Sequence, residues 1–126
     1  MNDERIRAPR DIEQRTLAYA VRAIKLVRFL ETTRDSASQV ISKQFLRSAT
    51  ASGAYLSVAE SAETKPDFIH KCAIALKEAR ECLYWLRLMA AAELIEERRL
   101  VEFLNETNQI VAILTTIIKR AKRSIA

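Results

Sequence analysis

The chain has 126 residues, of which 49% are hydrophobic and 29% are charged, a composition typical of one globular domain rather than of a disordered segment. It contains one glycine and two prolines. An all-β fold needs a turn-forming residue about every 8–12 positions, so the composition excludes that class and favours a few long helices with short connections. No apolar run reaches the roughly 18 residues of a membrane span.

The first predicted helix spans residues 11–32. Apolar residues recur in it with a helical period, and we expect its buried face to hold Leu17, Ala20, Val21, Ile24 and Val27. Tyr19 and its helical neighbours widen that face. Arginines and lysines mark a narrow polar side.

The second predicted helix spans residues 36–62. Its middle, residues 48–54, is a run of small residues that includes Gly53. A glycine inside a helix costs about 1 kcal/mol relative to alanine. We therefore expect a neighbouring helix to approach closely at this point.

The third and fourth predicted helices span residues 65–92 and 97–123. Thr64 is a typical N-cap residue, and Pro66 stands in the first turn that follows. Four helices with short connections form antiparallel neighbours by default. The sequence therefore predicts an all-α fold, an up-down-up-down four-helix bundle, with residues 1–126 in a single domain that is basic at both termini.

Helix three carries apolar residues on two sides, whereas a bundle helix needs only one buried stripe. The second side holds the only tryptophan. Surplus apolar area of this kind is typical of a protein interface, and the alternative is that the tryptophan covers the bundle surface. The candidate oligomer-interface residues are Ile74, Tyr84, Trp85 and Leu88.

The sequence gives little support for catalysis or metal binding. Asp67 and His70 have the spacing of half a di-iron motif, but a second histidine is missing. Cys72 and Cys82 lie ten residues apart in one helix, too far apart to form a disulfide, and are expected to be buried thiols in a reducing cytoplasm. We expect no catalytic residue, no metal, no cofactor and no enzymatic activity.

Acidic residues of helix three have a similarly simple interpretation. Glu78 and Glu81 lie close to Lys77 and Arg80. This pattern is typical of a solvated, ion-paired helix face rather than of an acid–base pair, which would need a cleft.

The positive charge is concentrated near the two termini. The net charge is +5, and residues 115–126 carry four Lys or Arg and no acidic residue. Helix one begins and helix four ends on the same side of an up-down-up-down bundle, where Glu60, Glu63 and Asp67 would dilute the charge. Two interpretations stay open: an anionic-polymer surface, or cations that complement the helix dipole and aid solubility. The candidate nucleic-acid-binding residues, together called the basic end, are Arg5, Arg7, Arg10, Lys119, Arg120, Lys122 and Arg123.

Several segments together resemble a known family. They are residues 44–49 (QFLRSA), 58–60 (VAE), 67–71 (DFIHK), 74–81 (IALKEARE) and 84–88 (YWLRL). Over about residues 12–122 the chain is similar to the bacterial four-helix bundle proteins of the 23S rRNA intervening-sequence family. Gly53, Ala54 and Tyr55 stand where the family usually carries a Ser-Ile-to-Asn segment, and Ser61 stands where glycine is common.

The resemblance implies a homopentamer around a central channel and kinship with accessory proteins of diversity-generating retroelements, which bind nucleic acid. The family's biochemical function is unestablished. Two hypotheses follow for this chain. One is a non-enzymatic, self-associating bundle that binds structured RNA or DNA at the basic end. The other is a scaffold or adaptor that docks a protein and has no nucleic-acid ligand.

Overall fold

The computed structural model describes residues 10–124, with the backbone alone at Arg10. Four helices follow one another: α1 (Arg10–Glu31), α2 (Ser36–Ala59), α3 (Lys65–Ala91) and α4 (Glu97–Arg123). The predicted all-α four-helix bundle is confirmed. Helix α2 ends three residues earlier than the sequence indicated, because residues 60 and 61 form a turn.

The helix ends are fixed by local hydrogen bonds. The Asp35 carboxylate caps α2 by accepting from the Ser38 backbone N–H at 2.9 Å. The Thr64 hydroxyl caps α3 by accepting from the Asp67 backbone N–H at 3.2 Å, as the sequence predicted. Such caps satisfy N–H groups that have no partner within the helix. Arg34 adopts a left-handed backbone with φ of 56°, which turns the chain sharply between α1 and α2.

Serine and alanine side chains allow α2 and α3 to pack closely. The Ser52 hydroxyl donates to the Ala75 carbonyl of α3 at 3.0 Å. The Cys82 thiol lies 3.4 Å from the Ser48 hydroxyl, which also donates to carbonyls of its own helix. Short polar side chains can thus be buried at little cost, because each has a partner.

Polar contacts join α1 to α4, and these two helices share fewer residue contacts than the other pairs of neighbouring helices. The Arg15 guanidinium donates to both carboxylate oxygens of Glu106, at 3.0 and 2.6 Å. Nearby, the Tyr19 and Thr107 hydroxyls are 2.7 Å apart. Residue numbers rise along α1 as they fall along α4, so the two helices are antiparallel. Their thin contact leaves the bundle open to solvent along this side.

An aromatic cluster marks the centre of the core. The ring of Phe103 meets those of Tyr19 and Phe45 edge to face, with centroids 5.1 and 5.5 Å apart, a favourable arrangement for aromatic rings.

None of the four described helices combines the length and apolar character that crossing a bilayer requires.

The predicted buried face of α1 is wrong at three positions. Leu17, Val21 and Ile24 are 68%, 45% and 37% exposed. Val27 of the predicted face is buried, and the buried stripe otherwise includes residues expected only to widen that face, such as Tyr19 and Ala23. Helix α1 packs closely against α2 but makes few contacts with α4. These neighbours therefore cover only one narrow stripe of α1, and its other side chains are exposed to solvent.

Candidate functional site

The described part of the basic end lies in the last two turns of α4. Lys119, Arg120, Lys122 and Arg123 are all exposed. Ile118 just before them and Ala121 among them are buried and hold the helix against the core. Cations in the last turn of a helix interact favourably with the helix dipole. The packing of α4 therefore holds four cationic side chains at one end of the bundle.

Helix α3 begins beside this surface. The Lys65 ammonium donates to the Ser124 carbonyl at 3.2 Å and to the Ser124 hydroxyl. This contact places a further cation at the end of α4. It also places the turn between α2 and α3 on the same side of the bundle, as the sequence predicted.

The acidic residues on this side only partly offset the charge. Asp67 forms an ion pair with Lys71 at 3.2 Å within α3. Within residues 10–124, none of the four α4 cations forms an ion pair with a carboxylate. Their charges are thus available to an external anion.

The other members of the basic end are not placed. Arg5 and Arg7 lie outside the described residues. Arg10 is the first residue of α1, and its side chain also lies outside the description. The structure thus brings together four of the seven predicted residues, and the other three stay a sequence prediction.

The candidate oligomer surface on α3 is partly used by the bundle itself. Trp85 is partly buried and packs against the core, and its buried indole Nε1 has no hydrogen-bond partner among residues 10–124. Tyr84 is 58% exposed, and its ring meets that of Trp85 at 5.0 Å. Ile74 and Leu88 are half-buried. Because α3 lies between α2 and α4, both of its apolar sides have some cover, and Tyr84 is the most accessible of the four side chains.

A second apolar surface lies between α1 and α2. A groove of about 440 Å³ runs between them, next to the exposed side chains of Leu17, Val21 and Ile24. Gly53 and Ala54 line this groove, so its wall on α2 is made of small residues. The sequence does not distinguish this surface from a buried face, because the same helical period of apolar residues suits both.

The buried nucleophiles are held in their neutral forms. Burial raises the pKa of the Cys72 thiol to about 12 and that of the Cys82 thiol to about 11. Burial also raises the pKa of the Tyr19 hydroxyl. A thiol reacts as the thiolate, so these groups behave as core side chains at neutral pH.

Glu78 and Glu81 of α3 pair with a neighbouring helix rather than within α3. Arg47 of α2 bridges Glu78, at 2.9 Å, and Glu81. The pairing with Lys77 and Arg80 suggested by the sequence is replaced by this contact, which also links the two helices. Within residues 10–124, no three His, Cys, Asp or Glu side chains are grouped closely enough to share a metal ion.

Comparisons with known proteins identify relatives of the same fold. The family described as 23S rRNA-intervening sequence protein matches residues 11–116. A crystal structure from Bacteroides thetaiotaomicron, described as a protein of unknown function from the S23 ribosomal protein family, is 39% identical. That match covers 87% of this chain and 96% of the other, with a TM-score of 0.82. No curated protein matches the chain.

Proposed function

The chain belongs to the 23S rRNA-intervening sequence protein family, and we propose that it is a non-enzymatic, self-associating helical bundle that binds structured RNA or DNA through its basic end. The observation that carries the proposal is the group of four exposed α4 cations without a carboxylate partner among the described residues. The resemblance to retroelement accessory proteins supports the same ligand class.

The α4 cations suit phosphate better than base recognition. Few aromatic residues lie near them in the sequence, so stacking on bases contributes little, and phosphate contacts dominate. Binding is then largely indifferent to sequence. The competing explanation is that these cations only compensate the helix dipole. That role needs fewer than four cations, because the dipole places only about half an elementary charge at the helix end.

Self-association would multiply this surface. The resemblance implies a homopentamer, in which five copies of the basic end act together. Two apolar surfaces are available for the contact: Tyr84 and its neighbours on α3, and the groove beside Leu17 on α1. Burying one large apolar side chain contributes about 1.5–3 kcal/mol before the costs of association.

A mobility-shift titration at low salt tests nucleic-acid binding. The test variant changes Lys119, Arg120, Lys122 and Arg123 to serine. The matched control removes the same charge by changing four exposed cations elsewhere to serine: Arg28, Lys43, Lys77 and Arg80.

We expect the test variant to lose binding and the control to keep it. The logarithm of affinity should fall with the logarithm of salt by about 0.9 per phosphate contacted on a duplex. Two contacts per subunit in a ring of five would give a slope of about −9, which the test variant should flatten. Equal binding by the two variants, or no shift at micromolar wild-type protein, would refute the proposed ligand.

Light scattering tests self-association. The substitution Trp85→Glu should break the oligomer, but Trp85 also packs against the core. Tyr84→Glu is the cleaner change because its side chain is 58% exposed. Val40→Glu, at a 61% exposed position of α2, is the control. Leu17→Glu tests the groove on α1 in the same way. A monomeric wild type, or an unchanged mass for all three of Tyr84→Glu, Trp85→Glu and Leu17→Glu, would contradict self-association through these surfaces.

A protein scaffold is the second candidate function. The observation that favours it is the apolar groove between α1 and α2, which could receive a partner helix. Absorbance at 260 nm separates the two candidates. Co-purified nucleic acid that high salt removes supports the first, and its absence together with a stable protein complex supports the second.

A further inference from the structure

We propose that the open groove between α1 and α4 is a second nucleic-acid site, which takes a short single strand of RNA or DNA. The groove has a volume of about 470 Å³ and runs between the second half of α1 and the start of α4. It lies at the opposite end of the bundle from Lys119 and Arg123, because α1 and α4 are antiparallel. The inference therefore does not depend on the basic end.

Cations line both sides of this groove. Arg22 and Lys25 project from α1, and Arg98 and Arg99 project from α4. The carboxylate of Glu102 also lines the groove, and that of Glu96 lies close to it. Glu96 pairs with Arg98, and Glu102 lies 3.7 Å from Arg22 with its side chain 88% exposed.

Lys25 and Arg99 keep their charge available. Within residues 10–124, neither forms an ion pair with a carboxylate. Arg99 also stands in the first turn of α4, where the helix dipole disfavours a cation and favours an anion. A bound anion would offset both the unpaired charge and this unfavourable placement.

Two aromatic rings beside the groove each have a guanidinium over one face, and of the two only Phe29 is exposed, since Phe103 is buried. The Arg99 guanidinium lies over the Phe29 ring at 4.9 Å from its centroid, and the Arg22 guanidinium lies over the Phe103 ring at the same distance. Leu26 and Ile95 complete an apolar wall. Phe29 is 42% exposed, which leaves part of its ring open to solvent.

This combination distinguishes a single strand from other polyanions. Proteins that bind single strands combine a cationic groove with aromatic or guanidinium planes on which bases stack. An acidic peptide would use the cations and leave the aromatic surface without a partner. A duplex cannot present its stacked bases to Phe29 or Arg99.

The dimensions suit a short segment. From Arg22 to Phe29 the helix rises about 10 Å at 1.5 Å per residue. A groove of this length can hold only a short segment of a few nucleotides. Phosphates would lie against the cations on both sides, and one or two bases would stack beside Phe29.

Fluorescence anisotropy with a labelled thymidine hexanucleotide tests the inference at low salt. The double variant Lys25→Glu and Arg99→Glu removes the available charge. Its control, Lys77→Glu and Arg80→Glu, makes the same charge change at exposed positions of α3. We expect at least about a ten-fold loss of affinity in the first variant and less than about a two-fold loss in the control.

Two further measurements test the stacking. Phe29→Leu keeps an apolar side chain but removes the ring, and should weaken binding about five-fold or more. An abasic hexamer with the same phosphates should bind more weakly than the thymidine hexamer. Equal affinity for the two ligands, or equal binding by the charge variant and its control, would overturn the inference. Hexaglutamate binding as tightly as the hexanucleotide would assign the groove to an acidic peptide instead.

The two sites can be separated by their variants. Serine at Lys119, Arg120, Lys122 and Arg123 should leave hexanucleotide binding unchanged. If that variant alone abolishes hexanucleotide binding, the strand binds at the basic end and the groove has no such role.

Discussion

Gly53→Ala measures how closely α1 approaches α2. A Cβ atom at position 53 would lie 3.3 Å from the Thr16 Cβ, whereas carbon atoms pack best at about 3.5–4.0 Å. Thr16 cannot rotate its Cβ away, and its hydroxyl donates to the Glu13 carbonyl at 3.0 Å. The helices themselves must therefore move apart by a few tenths of an ångström.

Two opposing terms set the magnitude. Alanine improves helix propensity by about 1 kcal/mol, while overpacking costs about 1–3 kcal/mol. We expect Gly53→Ala to lie between no change and a loss of about 2 kcal/mol in the free energy of unfolding. Gly53→Leu should cost more, because its additional carbons extend from the same contact.

Urea denaturation followed by circular dichroism provides the measurement, with all variants at one protein concentration. Ala54→Gly is the matched control, since Ala54 is the next residue of α2 and is exposed. It should lose about 1 kcal/mol from helix propensity alone. If Gly53→Ala gains as much as Ala54→Gly loses, position 53 has no packing restraint and the close approach is refuted.

Three further predictions concern the core. Between pH 9 and 11 the free energy of unfolding should fall by up to about 1.4 kcal/mol per pH unit for each thiol. Cys72 and Cys82 have raised pKa values and stay neutral in the folded state, whereas the same thiols ionise in the unfolded chain. Replacing both with alanine should remove that part of the slope in a series of denaturation curves measured at different pH. Thr107→Val should cost more than Tyr19→Phe in thermal melts, because it leaves the buried Tyr19 hydroxyl without its partner at 2.7 Å; the reverse order would contradict this assignment. Trp85→Phe should be neutral or slightly stabilising, since it removes a buried N–H that has no acceptor in the described part of the chain, and a loss above about 2 kcal/mol would show that ring size matters more.

The sequence by itself determined the helical elements. Few breakers, the helical spacing of apolar residues and the cap at Thr64 are local properties, and local hydrogen bonding decides where a helix starts. The predicted start of α3 at residue 65 coincides with the structure. The end of α2 does not, because residues 60 and 61 continue as a turn that no strong stop signal marks.

The tertiary structure decided which apolar faces are covered. Periodicity identifies an apolar stripe but not the neighbour that covers it, so Leu17 and Val21 were expected inside and lie in solvent. Contacts between helices are equally invisible in sequence order. Arg47 reaches Glu78 from another helix, and Lys25 and Arg99, distant in sequence, face one groove. The α4 cations could be found from the sequence because they lie close together within residues 119–123, whereas the α1–α4 groove exists only because two antiparallel helices meet there with few contacts.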